Sequence, residues 1–225
     1  MSRLVALFTL AVALSSCASP GPPRPDPSET IRTRIGQVVD ADTGRPVQGA
    51  IVLVVFYLWP ERGFGNFPAS KVFRDSQEAT TDQEGRFEVS GPWTSHSWYD
   101  EAVLIFKPGY GPWRFQDSDS APNPFEASRA YSAWLQQRWE RFVDTGVVIE
   151  LRPFRTREER VKYIDQRWDL QDNVGVGYGR ETPFGWFYLF DIPTDRLTHF
   201  QVLVDQERAD LGLPPRQLDG RRQPR

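Results

Sequence analysis

The chain has 225 residues, enough for one or two domains with a core of useful size. Its 27 Lys and Arg nearly balance 30 Asp and Glu, so at a net charge of −3 no field of one sign draws in nucleic acid or an anionic membrane. A single cysteine excludes an internal disulfide and a cysteine zinc site, and two histidines exclude a multi-histidine metal centre.

Residues 1–16 read as a signal peptide: Arg3 supplies the positive end, Leu4–Leu14 the apolar stretch, and Ser15 and Ser16 the small residues before Cys17. An apolar run of this length is too short to span a bilayer. Leu14-Ser-Ser-Cys17 resembles a bacterial lipobox, which implies that Cys17 is diacylated and becomes the mature N-terminus, making the membrane a partner through a lipid anchor. Ala18 after that cysteine resembles the signal for export to the outer membrane of a Gram-negative host. Residues 17–30 form a tether, with five prolines between Ser19 and Glu29 in a composition that cannot bury a core and favours extended polyproline II.

From Ile31 the pattern changes to strands and turns. Gln37–Val39 and the continuous apolar run Ile51–Leu58 are strands, joined through Asp40-Ala-Asp-Thr-Gly44 and Pro46 into a first hairpin. Trp59–Arg74 is an insertion, broken by Pro60, Gly63, Gly65 and Pro68, that carries Trp59, Phe64 and Phe67. Lys71–Thr81 and Arg86–Val89 are expected to pair around Asp82-Gln-Glu-Gly85. Gly91–Glu101 reads as a second loop, carrying Trp93, Trp98 and Tyr99, and Ala102–Lys107 as another strand, with Trp113–Phe115 as its continuation.

Gly36, Val38, Asp40, Thr43, Gly44, Pro46, Val47, Gly49, Ala50 and Val52 follow the pattern G-x-V-x-D-x-x-T-G-x-P-V-x-G-A-x-V. This resembles the start of a carboxypeptidase regulatory-like domain. Thr81-Asp82-Gln-Glu-Gly85-Arg-Phe87 and the strand Val103–Lys107 running into Pro108-Gly-Tyr110 resemble two later pieces of that family, in its order. Over roughly residues 34–153 the resemblance implies an antiparallel, transthyretin-like β-sandwich, and it supplies no active site. In carboxypeptidases the module accompanies a separate zinc catalytic domain, to which nothing in this chain is similar.

Helices are added to this framework. Asn123, Pro124 and Glu126 mark a helix start, and Tyr131, Trp134, Leu135, Trp139 and Phe142 recur at helical spacing, predicting an inserted helix over about 123–143 before a last strand, Val147–Leu151. Thr156-Arg-Glu-Glu159 is a capping box opening a helix with Val161, Ile164 and Trp168 on its apolar face. Gly175–Gly179 breaks the chain, and Phe184–Phe190 is aromatic and ambiguous between helix and extended segment. Thr194 is expected to cap a final helix presenting Leu197, Phe200, Val204 and Leu211, ended by Gly212 and Pro214 ahead of a flexible tail, 214–225.

One packing inference joins these parts. A half-buried strand alternates, yet Ile51–Leu58 and Ala102–Phe106 are apolar on both faces, so something must cover the second face. The fold class is therefore mostly β with added helices: a sandwich over 31–153, covered by the inserted helix and by a helical segment, 154–213.

Catalytic chemistry is sparse. Asp40–Gly44 lacks the glycine and glutamate positions of a calcium loop, and Gly175-Val-Gly-Tyr-Gly179 lacks the third glycine and the βαβ setting of a dinucleotide site. No cofactor is implied, and a non-enzymatic role is expected. The remaining feature is aromatic: Trp59, Phe64, Phe67, Trp93, Trp98 and Tyr99 either roof the core or form a stacking platform for a protein or glycan partner. The protein reads as a lipid-anchored envelope module for binding or structure; a carbohydrate-binding accessory lipoprotein and a hydrolase with an unrecognised carboxylate site are the alternatives.

Overall fold

The two apolar runs identified in the sequence become neighbouring strands of one sheet, Ile51–Leu58 at its centre. The computed structural model describes residues 30–58, 72–93, 99–121, 128–165 and 192–215. Its elements are β1 (Thr30–Asp40), β2 (Ile51–Leu58), β3 (Val72–Thr80), β4 (Arg86–Trp93), β5 (Tyr99–Phe106), β6 (Tyr110–Phe115), α1 (Ser128–Asp144), β7 (Val147–Pro153), α2 (Arg157–Asp165) and α3 (Thr198–Asp210). The fold is mostly β, with helices added. One sheet has the order β4-β1-β7-β6 and the other β3-β2-β5.

This topology corrects the expected pairings. β1 and β2 do not form a hairpin, because β1 pairs with β4 and β7 while β2 pairs with β3 and β5. The same holds for β3 with β4 and for β5 with β6: each turn lifts the chain from one sheet to the other. Asp, Gly and Pro serve such an arch as well as a hairpin, so turn chemistry alone did not distinguish them. Trp113–Phe115 accordingly lies in β6 of the other sheet and does not continue β5. The expected antiparallel arrangement also has an exception, since β7 runs parallel to β1, from Gly36 opposite Val147 to Asp40 opposite Leu151.

The two-faced character of β2 has a direct structural counterpart. Val52, Val54 and Phe56 join Val38, Phe87, Val89, Trp113, Ile149 and Leu151 in a core between the sheets. Ile51, Leu53, Val55 and Tyr57 point the other way, with Leu104 and Phe106 of β5, into a second core formed with Tyr163 and Ile164 of α2 and Phe200 and Val204 of α3. A strand buried on both faces reads as a continuous apolar run because both alternate sets are in a core. The inserted helix does not share in this cover: Leu135, Trp139 and Phe142 of α1 enter the inter-sheet core, where Phe142 meets Phe87 and Trp139 stands edge-on to Trp113 and Phe115.

The helix boundaries show what local signals capture. At α2 the capping box is present: Glu159 N–H donates to Thr156 Oγ1 at 3.1 Å, and Glu159 Oε2 accepts from the backbone of Thr156 and Arg155. Tyr163 joins Ile164 as a buried residue of this helix, and the expected Trp168 lies outside the described residues. Thr194 is not the cap of α3; it starts a short 3-10 turn, Thr194–Arg196, and Leu197 precedes α3 without a side-chain cap. Leu197, Phe200, Val204 and Leu211 are buried as expected, and Gly212 takes φ +68 past the helix end. The expected helix start at Asn123 and the segments 175–179 and 184–190 lie outside the described residues.

Candidate functional site

The residues of the three resembling motifs gather at one end of the paired sheets. Asp40 Oδ1 accepts hydrogen bonds from the backbone of Asp42 and Thr43 and from Thr43 Oγ1, and Asp40 Oδ2 accepts from the Tyr110 hydroxyl at 3.1 Å. Burial works against the Asp40 charge, but these donors, led by Thr43, outweigh it and hold the carboxyl below its ordinary range; burial and that carboxylate together push the Tyr110 hydroxyl up. Buried Thr81 ties the two arches together, its hydroxyl accepting from Ala50 N–H at 2.8 Å and donating to the Val47 carbonyl at 2.7 Å. Gly85, at φ +72, leaves room for the Val38 carbonyl 2.4 Å from where a Cβ would stand. These contacts satisfy the turns and the backbone of the two arches.

The strand ends that bound the aromatic stretches lie at the opposite end. There β1 begins with Thr30 opposite Trp93 of β4, and Leu58 closes β2 opposite both Val72 and Tyr99. Trp93 and Tyr99 are thus the last residue of β4 and the first of β5, which corrects the expectation of a loop from Gly91 to Glu101. The β-ladders extend further because Gly91 and Pro92 pair with Arg32 and Ile31. Trp59, Phe64, Phe67 and Trp98 lie outside the described residues, as does Cys17. The topology therefore brings the boundaries of both aromatic stretches to one end.

Beneath that end lies a residue the sequence reading missed. Arg34 is fully buried and donates from Nη1 to the Arg32 and Gly91 carbonyls and from Nη2 to the Pro92 carbonyl, with its guanidinium 4.8 Å from the centre of the Phe56 ring. Gly91 is open because a Cβ there would come within 2.1 Å of that ring. The guanidinium, with five donors and weak hydration, fits a cluster of strand-end carbonyls beside an aromatic ring. The signal was present in the sequence: Arg34, Gly36 and Val38 share one parity of β1, and Val38 faces the core.

Several of the described ionisable groups pair between elements. Arg114 bridges Glu150 and Asp119, Arg138 pairs with Asp117, and Arg160 Nη2 meets Glu207 Oε2 at 2.6 Å between α2 and α3. The Glu78 carboxylate of β3 replaces the missing cap of α3, accepting from His199 N–H at 3.0 Å and Phe200 N–H at 2.9 Å. Sequence reasoning overlooked Glu78 because this cap comes from a distant strand rather than from within the local stretch. Among the described residues no three His, Cys, Asp or Glu side chains are grouped to hold a metal ion. Among them, too, no helix is long and apolar enough to cross a membrane.

No protein-family model matches the chain, and no curated protein matches it. Among solved structures, a 9R-lipoxygenase from Cyanothece PCC8801 is similar at 19% identity over 41% of this chain and 12% of its own, with a TM-score of 0.21. A likeness at that score carries no argument about fold or activity.

Proposed function

We propose that this protein is a lipid-anchored cell-envelope protein, sorted to the outer membrane if its host is Gram-negative, that acts as a non-catalytic binding or structural module. In this reading its sheets form a transthyretin-like sandwich of the carboxypeptidase regulatory-like type. The observation that carries the anchor is Leu14-Ser-Ser-Cys17, followed by a proline-rich stretch that ends where β1 begins at Thr30. Two sheets sharing one core support the sandwich, as do positive-φ glycines at motif positions 44, 49, 85 and 109. Glu78, Glu150 and Glu207 act as a cap and in inter-element ion pairs, which favours an architectural over a hydrolytic use of them.

Cys17→Ser tests the anchor. Each acyl methylene buried in a bilayer contributes about 0.8 kcal/mol, so two chains give stable attachment where one gives only marginal binding. The native protein should carry an acyl mass at Cys17 and partition into the detergent phase, and the variant should lose both. A variant that partitions as the native protein does would overturn the reading.

A further inference from the structure

We propose that β1 is a tension-bearing strand, which passes a pull on the tether into the sheets as shear and so resists being drawn out toward the membrane. The inference rests on the anchored reading above and deepens it, choosing mechanical linkage within the binding or structural role. In that reading the chain between bilayer and fold ends where β1 begins. Any pull between the membrane and whatever the protein holds therefore enters at Thr30.

The placement of β1 suits it to that load. It is not an edge strand, since it lies inside the order β4-β1-β7-β6. Thr30–Gln37 pair with β4 and Gly36–Asp40 pair with β7, so every residue of the strand sits in a ladder. Both ladders are prolonged, by Val38 N–H donating to the Gly85 carbonyl at 2.7 Å and by Ala41 N–H donating to the Leu151 carbonyl at 2.9 Å.

Strand direction decides how the ladders are loaded. β7 runs parallel to β1, so the chain leaves β7 at Pro153, at the end away from Thr30. A pull at Thr30 opposed by a pull at Pro153 slides the two strands along each other. Sliding loads all the rungs together, whereas lifting one strand from its end loads them one at a time. Creep by a single residue is opposed as well, because it would turn the buried Val38 out of the core. Arg34 adds a side-chain lock: fully buried, it donates to the Gly91 and Pro92 carbonyls of β4 and lies 4.8 Å from the Phe56 ring centre of the other sheet. At the far end Asp40 accepts from the Tyr110 hydroxyl of β6.

Single-molecule force spectroscopy tests the direction of loading. The full chain, produced without acylation, carries one handle on Cys17, its sole cysteine. The second handle goes on Arg152→Cys near the end of β7 or, in a separate protein, on Thr145→Cys just before β7; both positions are exposed. A handle at 152 loads the sheets without pulling through α2 and α3. Pulling from 17 and 152 shears β1 against β7, whereas pulling from 17 and 145 peels β7 from its first residue. Forced unfolding follows the unfolding barrier, so at one loading rate the 152 handle should require about twice the force of the 145 handle, or more. Equal forces, or a higher force for the 145 handle, overturn the proposal. Mass spectrometry at Cys17 of the native protein separates the two levels. An unacylated cysteine removes the anchored reading and the membrane-borne load with it, whereas an acylated protein with equal forces removes only this proposal.

Discussion

At Asp40 one side chain organises an entire arch, and its energetics have a definite sign with pH. The carboxylate accepts from Asp42, Thr43 and Tyr110, and its pKa lies below the ordinary value of 3.8. A depressed folded-state pKa means that ionised Asp40 stabilises the fold at every pH above the unfolded value. That contribution disappears as pH falls below about 4 and through the folded pKa. Asp40→Asn should therefore cost on the order of 1 kcal/mol at pH 7 and at pH 5, the scale of a hydrogen-bonding interaction left partly unmade. Urea unfolding of both proteins across pH 2–7 measures the gap, which should narrow only below about pH 4. A gap of constant size down to pH 2 would show that the charge contributes nothing.

At the scale of elements, α2 and α3 are held to each other by polar contacts as well as by their shared core. Arg160 pairs with Glu207, Arg157 donates to the Leu211 carbonyl just past α3 at 2.6 Å, and Arg208 Nη1 donates to the Ile164 carbonyl of α2 at 3.4 Å. The Arg160–Glu207 pair is unevenly buried, with 29% of the Arg160 side chain exposed against 2% of Glu207. Removing the arginine strands a carboxylate in the interior, whereas removing the carboxylate leaves a guanidinium that water can reach. Arg160→Met should cost about 3–5 kcal/mol, and Glu207→Gln clearly less. Denaturation midpoints of the two variants decide this, and equal losses would contradict the uneven burial.

The same scale shows what was legible in the sequence and why. Strand and helix types followed from Ile51–Leu58, from the Thr156–Glu159 capping box and from the spacing of Leu135, Trp139 and Phe142. Strand partners did not follow, because Asp40–Gly44 and Asp82–Gly85 encode tight turns without encoding which sheet the chain enters next. The continuous apolar character of β2 did announce a second covering layer, and α2 and α3 supply it. The motif residues proved to be turn and backbone partners at one end, while the strand positions of Trp93 and Tyr99 emerged only from the register with Thr30 and Leu58.

In the whole molecule, β2 unites two cores. Its even-numbered residues hold the two sheets together, and its odd-numbered residues bind the C-terminal helices. Glu78 adds a polar link by holding the first amides of α3 from β3. If both cores depend on one strand, the helices cannot open freely while the sheets persist, because opening them exposes Ile51, Leu53, Val55 and Phe106 together. Native-state hydrogen exchange of the full chain, followed residue by residue through low denaturant, tests this directly. Central amides of β2, between Leu53 and Val55, and of α3, between Val204 and Arg208, should converge on one opening free energy equal to that of global unfolding. Amides of α3 that exchange through a separate opening several kcal/mol below the global value would contradict it.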